Sequence, residues 1–425
     1  MFVDLKIGFV GMSHLGLNYA VATAKKNFKV ICYDENVSIV NILNKKKTHV
    51  FEKDLEKNIK SNFHNLKFTN NLQELSACAV VYVSKDVDTD HNGQSDLLSI
   101  QNLIKKIIIF LNRKASLIIL CQVPPGFCRT INWPHDQLYY QVETLIFGQA
   151  LNRALYPERL IIGSNLKNTK IKKPYLKILR SFKCPLIRMN YESAELAKIS
   201  INMYLISTVT TTNILSEICE KAGGDWNDIT NSLRLDKRIG KYAYLSPGLG
   251  ISGGNLERDL CTLQKLQKSN GINNKFILEV KNKSISRKKW IENILKKIEN
   301  KVSFKKISIL GLAYKTGTHS IKNSPALYLI KKLSDVDISI YDPVVKKINF
   351  YKKNIKLCKD PMEAIKNCDI LIIATPWPIF KKIKVSYLVK NIKKKIIIDP
   401  FNLYNANQLL KKKIKHISMG KKSNV

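Results

Sequence analysis

Lys198 and Asn202 lie four residues apart in the stretch Glu192–Lys221, ESAELAKISINMYLISTVTTTNILSEICEK. At that spacing two side chains share one face of a helix. An ammonium beside a carboxamide can steady negative charge on an oxygen or handle a proton. A Lys laid along apolar surface, with an Asn satisfied by its neighbours, is the purely structural alternative. A second pattern with chemistry in it stands near the start. Gly11-Met-Ser-His-Leu-Gly16 follows an apolar run, and Asp34 closes the next one. This is the spacing of a dinucleotide turn. The first Gly makes the turn, the middle position lets backbone approach a pyrophosphate, the last lets helix pack on strand, and the acid takes ribose hydroxyls. Ser13 holds the middle position and adds a Cβ where a phosphate comes close. Asp34 would repel a 2′-phosphate, so NAD is favoured over NADP. Gly11, Ser13, His14, Leu15, Gly16 and Asp34 are therefore the candidate cofactor residues. A parallel-sheet turn that binds nothing is the alternative.

Both patterns need elements to hold them. Glu192–Lys221 reads as one helix, with Asn190 to cap its start, Glu192 and Glu195 in the first turns, and Gly223-Gly224 to end it. It would be about 45 Å long. Apolar residues surround most of it (Leu196, Ile199, Met203, Ile206, Val209, Leu215, Ile218), which predicts that most of it is buried. Thr208–Thr212 is a poor helix-forming run that packing must support. Before it, strand–turn–helix alternation (Leu5–Val10, Phe28–Tyr33, Ala77–Ser84, Ser116–Cys121 and Pro185–Met189 as strands) predicts a doubly wound sheet to about residue 190. After it, a polar, Lys-rich connector spans Asn270–Asn300. A second such unit then begins, with strands Lys306–Leu310, Asp337–Tyr341, Ile370–Ala374 and Lys395–Ile398. The expected fold is α/β: two Rossmann-like doubly wound domains, facing each other across a cleft, joined by a long central helix and a small helical domain. The expected divisions are 1–190, 191–300 and 301–425.

Between the long helix and the connector, the glycine-rich run Gly248–Gly254, with Gly250 and Gly253, can present N–H groups or admit a ligand closely. Gly250-x-Ser252-x-Gly254 also has hydrolase-elbow spacing, but Pro247-Gly248 stands where that elbow requires a strand. Asp88-x-Asp90-x-Asn92-Gly93 opens like a calcium loop, yet its twelfth position is Ser99 rather than Glu. The nine Cys form no CxxC pair and no zinc-spaced cluster, so no metal is expected.

Composition narrows the class. In 425 residues, 45% are hydrophobic and 24% charged, as in a globular protein with room for two or three domains. The opening MFVDLKIGFVG enters a strand without a signal-peptide pattern, and no apolar run reaches membrane-spanning length. A cytoplasmic protein with reduced thiols and no membrane partner is the expectation. The net charge of +38 comes from Lys scattered in short runs and accompanies no nucleic-acid-binding motif. It should attract anionic ligands rather than a specific nucleic acid.

From end to end the chain resembles the UDP-glucose/GDP-mannose (nucleotide-sugar) dehydrogenases. The residues that carry the resemblance are Gly11…Gly16 with Asp34, Val123-Pro-Pro-Gly126, Tyr156-Pro-Glu158-Arg-Leu160, and Glu195-Leu-Ala-Lys198-Ile-Ser-Ile-Asn202. Further on they are Asp236-Lys-Arg238-Ile-Gly240, the glycine loop to Asp259, Gly311-Leu-Ala-Tyr-Lys315, Ser324-Pro325 and Asp342-Pro343. The resemblance implies oxidation of a sugar primary alcohol to a carboxylate with two NAD, through an aldehyde and a Cys thiohemiacetal. It implies that Lys198 and Asn202 stabilise an oxyanion, that Asp259 helps a water act as base, and that Glu158 belongs to the same site. Arg238, Tyr244 and Lys315 would grip the nucleotide sugar, and a homodimer built on the central helix is implied as well. The chain also departs from the family's pattern. Asn255 stands where the nucleophilic Cys is usual, with Cys261 beyond Asp259. Arg258 replaces a Lys, and Gln122 replaces a Thr near the nicotinamide position. His319, Ser320 and Lys322 replace acids and an Arg, and Phe401 replaces an Arg. The resemblance thus supports a first oxidation and leaves the second without its thiol. A protein that keeps the scaffold only to bind NAD and nucleotide sugar is the alternative.

Overall fold

The computed structural model describes residues 5–90, 93–350 and 354–422. The four residues before Leu5, and Asn92 of the calcium-like loop, lie outside the described residues. The chain divides into two compact units, Met1–Ile201 and Asn202–Val425.

The first unit is one sheet of eight strands. They are β1 (Lys6–Val10), β2 (Lys29–Tyr33), β3 (Leu66–Thr69), β4 (Val80–Val83), β5 (Ser116–Ile119), β6 (Leu138–Gln141), β7 (Leu160–Ser164) and β8 (Leu186–Asn190), in the order β3-β2-β1-β4-β5-β6-β7-β8. The first six run parallel, β7 turns antiparallel to β6, and β8 follows β7. Strands buried on both faces explain the unbroken apolar runs, such as Val80–Val83. Strand order reverses between β1 and β4, and ligands sit beyond the carboxyl ends of strands at such a point. Three strands, β3, β6 and β7, were not foreseen from the sequence.

The long helix spans Tyr191–Ala222. Asn190 caps it as expected, accepting the Ser193 N–H at 3.1 Å. Gly223, at φ +84°, ends it, with the Gly224 N–H returning to the Cys219 carbonyl. In the weak run, Thr208 and Thr210 hydroxyls donate to carbonyls four residues back, and Thr212 donates to the Tyr244 carbonyl. The expectation that apolar residues bury most of the helix is met only in part. Leu196, Tyr204, Ile214, Leu215 and Ile218 are exposed, while Glu195, Lys198, Asn202, Thr212, Asn213 and Ser216 are buried. The apolar ring was read as core, yet part of it faces outward and polar residues take core positions.

The second unit contains a six-stranded, all-parallel sheet. Its strands are β9 (Lys306–Leu310), β10 (Asp337–Tyr341), β11 (Ile355–Leu357), β12 (Cys368–Ile373), β13 (Ile392–Ile398) and β14 (Lys415–Ile417), in the order β11-β10-β9-β12-β13-β14. The expected connector is two helices, Lys275–Lys288 and Trp290–Glu299. The first helps form a small core of Ile206, Ile251, Leu260, Ile277 and Val280, and the second joins the core of the sheet.

Candidate functional site

The turn after β1 has the shape a dinucleotide requires. Gly11 sits at φ +94°, and a Cβ there would come within 2.8 Å of the Lys85 backbone. A Cβ on Gly16 would meet the Gly11 carbonyl oxygen at 1.9 Å. Both positions are closed to larger residues, which keeps the first helix, His14–Lys25, tight against β1. Asp34 follows β2. It accepts the Met12 N–H at 2.7 Å and the Asn36 N–H at 2.9 Å, and it stays partly exposed. The residues present therefore fit a dinucleotide. The His14 side chain is committed elsewhere: its Nε2 lies 2.9 Å from Glu52, and Glu52 also accepts the N–H groups of Gly148 and Ala150. The His14 ring is thus engaged by Glu52. Gln122 is buried just past β5.

Lys198 is buried, and its Nζ lies 2.7 Å from Glu143 Oε1. An ammonium taken out of water needs such a partner. Glu143 was missed from the sequence because β6, which it follows, was missed. The available signal was Leu138-Tyr-Tyr-Gln141, a run of strand formers leading into Val-Glu. Glu158, which the resemblance implied for the same site, is not brought to Lys198. Its side chain is 64% exposed and pairs with Arg153 and Arg159 at the surface. Glu195 was read only as a helix-dipole acid. It is fully buried and accepts the N–H groups of Gly126 and Cys128, so it braces the Pro-Pro-Gly loop. Burial pushes its carboxyl above the usual range, against the pull of those donors.

In the second unit, the Asn202 amide donates to Asp259 Oδ2, and both side chains are buried. Arg258, also buried, brings Nε to 3.7 Å from Asp259 Oδ1. The Asp259 carboxylate thus has a carboxamide and a guanidinium beside it. Asp259 and Arg258 belong to the helix Asn255–Ser269, which starts at Asn255 directly after the glycine loop. Asn255 is exposed at that first position, and Cys261 lies two residues beyond Asp259 on the same helix. Two glycines of the loop serve close packing. Gly250, at φ +81°, backs onto the Ser284 carbonyl, and Gly253, at φ +86°, lies on the Tyr314 ring.

The residues expected to grip substrate are spread over the second unit. Arg238 is 89% exposed and forks onto Asp236. Tyr244 is also exposed, and Lys315 lies 5.8 Å from the Tyr314 ring centre. At the carboxyl ends of β9, β10 and β12, Asp342 is buried. It accepts the N–H groups of Leu312, Ala313, Val344 and Val345 and the Trp377 indole. Among the described residues, no group of three or more His, Cys, Asp or Glu could hold a metal ion. Nor is any helix among them long and apolar enough to cross a membrane.

A dinucleotide turn at the switch point of one sheet, and a second sheet built on the same plan, define a two-sheet nucleotide-binding α/β protein. Comparison with known proteins makes this specific. Models of the UDP-glucose/GDP-mannose dehydrogenase family match along the chain: the NAD binding domain at residues 5–182, the central domain at 192–284 and the UDP binding domain at 308–406. The UDP-glucose 6-dehydrogenase of Rickettsia conorii is 28% identical over 438 residues, covering 98% of this chain and 100% of its own. TuaD of Bacillus subtilis, also a UDP-glucose 6-dehydrogenase, is 26% identical over 421 residues, covering 95% and 90%. Two solved structures share the fold. A UDP-glucose dehydrogenase from Pyrobaculum islandicum has TM-score 0.83 at 20% identity, covering 98% of this chain and 97% of its own. A UDP-D-ManNAc dehydrogenase from Pyrococcus horikoshii has TM-score 0.84 at 21% identity, covering 98% and 99%. The chain belongs to the UDP-glucose/GDP-mannose dehydrogenase family, and its cofactor is NAD.

Proposed function

We propose that this chain oxidises a nucleotide sugar at a primary alcohol. NAD, when bound, supplies the acceptor for the hydride that leaves the carbinol carbon. Gly11, Ser13, Leu15 and Gly16 would cradle its pyrophosphate with the backbone of His14, Asp34 would take ribose hydroxyls, and Gln122 would lie near the nicotinamide. The single observation that carries the reading is a buried ammonium, Lys198, paired with the buried Glu143. An ammonium lowers the cost of alkoxide formation, and the Asn202 amide adds a donor to the same oxygen. The hydroxyl proton would pass to a water that Asp259 holds. Glu143 would position Lys198.

Asn255 stands where the family's thiol would be, and a carboxamide forms no thiohemiacetal. The first oxidation, from alcohol to aldehyde, is therefore the efficient one. The second would need water to add to the aldehyde before another hydride leaves, and it would be slow. Arg238, Tyr244 and Lys315 would hold the nucleotide sugar in the third domain and its approaches, with the divisions 1–190, 191–300 and 301–425. The exposed Leu215 and Ile218 on the long helix support a homodimer on that face. A cytoplasmic location and no specific nucleic-acid partner complete the reading.

The test supplies UDP- and GDP-sugars with NAD and follows NADH. Turnover that Lys198→Ala reduces by about a thousandfold supports the assignment. A second reading, favoured by Asn255, is a protein that binds NAD and a nucleotide sugar without turnover. Tight binding of both, with no NADH from any sugar supplied, would select it.

A further inference from the structure

The dinucleotide turn departs from its glycine pattern at Ser13, and the structure gives that hydroxyl two tasks. It donates to the Ser84 carbonyl at 3.2 Å and accepts the Asp86 N–H at 2.9 Å. Ser84 and Asp86 lie in the loop after β4, across the switch point from β1. The Asp86 carboxylate in turn accepts the Leu15 N–H, at 3.4 Å, in the first turn of the helix His14–Lys25. The loop is thereby sewn to the start of that helix by one hydroxyl and one carboxylate.

The N–H groups at the start of this helix are those a dinucleotide pyrophosphate takes in a turn of this kind. A carboxylate on the Leu15 N–H satisfies the positive end of the helix in the phosphate's place. The loop's own cation is turned to another acid: Lys85 Nζ reaches Glu35, at 3.5 Å. A pyrophosphate entering the turn must displace Asp86 from Leu15 or sit beside it with like charge. Either way the cofactor exchanges one anion for another, where an unoccupied helix start would give its full attraction.

We propose that Asp86, latched by Ser13, is an internal competitor for the pyrophosphate position and sets how tightly this chain holds NAD. This rests on the assignment of Gly11–Gly16 as the NAD turn. The two residues act as one device: Ser13 fixes the loop and Asp86 supplies the charge.

The experiment is calorimetric titration of the full chain with NAD, for the unaltered protein, Asp86→Asn, Ser13→Gly and the double variant, with melting temperatures taken without NAD. Asp86→Asn should bind NAD about fivefold more tightly, the effect of removing one like charge at close range in water. Its melting temperature without NAD should stay the same or fall, because the helix loses its anion. Ser13→Gly should also tighten binding, and the double variant should gain less than the product of the two. A merely structural tie would weaken affinity and stability together. NAD binding that is unchanged or weaker in both single variants overturns the proposal and leaves the NAD turn standing. Binding by none of the four proteins overturns the turn's assignment as well.

Discussion

Asp34 and Asp342 hold the same place in two sheets of the same plan. Each follows the strand next to the one that ends in a glycine turn. Gly11, at φ +94°, donates its N–H to the Tyr33 carbonyl, and Gly311, at φ +102°, donates to the Tyr341 carbonyl, both at 2.8 Å. The acids differ in what they hold. Asp34 takes the Met12 and Asn36 N–H groups and stays partly open. Asp342 is closed over, with four backbone N–H groups and the Trp377 indole on its two oxygens. A carboxylate with lone pairs to spare can accept a ribose hydroxyl; one with five donors has become a brace. The same local pattern thus leaves a partly open carboxylate in the first unit and makes a structural post in the second.

That contrast can be broken by substitution. Asp342→Ala leaves five buried donors without an acceptor and should cost roughly 3–5 kcal/mol of stability, read by urea denaturation. A loss below about 1 kcal/mol would mean the acid is no brace. Gly311→Ala places a Cβ 2.4 Å from the Thr375 side chain at positive φ, and Gly11→Ala places one 2.8 Å from the Lys85 backbone. Each should cost about 2 kcal/mol, and only Gly11→Ala should also weaken NAD binding. Asp34→Ala should leave stability within about 1 kcal/mol and weaken NAD about tenfold. Equal stability losses in the two Asp variants would erase the distinction.

The smallest effect concerns Glu195, a third carboxylate that holds backbone. Its folded pKa is raised above the ordinary 4.5 by burial, so the folded chain binds the proton more tightly than the unfolded one. Its contribution to stability is then fully present at pH below 4.5 and is lost as pH rises through the raised value. Urea midpoints taken across that range should fall more steeply for the unaltered protein than for Glu195→Gln. Parallel curves would show the carboxyl to be unperturbed.

Much of this was legible in the chain itself. The glycine turn with Asp34, the long helix with its Asn190 cap and Gly223 stop, and the second sheet all followed from residue type and spacing. Local rules carry these features, because turns, caps and buried parallel strands each leave a short signature. Partnership between distant residues leaves none. Glu143 and Glu158 both follow strand-like or proline-marked runs, and only the fold shows that one meets Lys198 while the other meets solvent. The long helix misled for a related reason. Its apolar ring signals contact, but not whether its own chain or a second copy supplies it. Asp342 was visible as the end of a strand and not as a brace, because three of its five donors lie 29, 30 and 35 residues away.

The proposed dehydrogenase would complete the first oxidation and lack the thiol for the second. The direct measurement is NADH formed per nucleotide sugar consumed, with the aldehyde trapped, for the unaltered protein and for Asn255→Cys. One NADH per sugar and a trapped aldehyde from the unaltered protein, rising toward two NADH and a carboxylate in Asn255→Cys, is the predicted result. Two NADH and carboxylate from the unaltered protein, at the rate of the Cys variant, would contradict it.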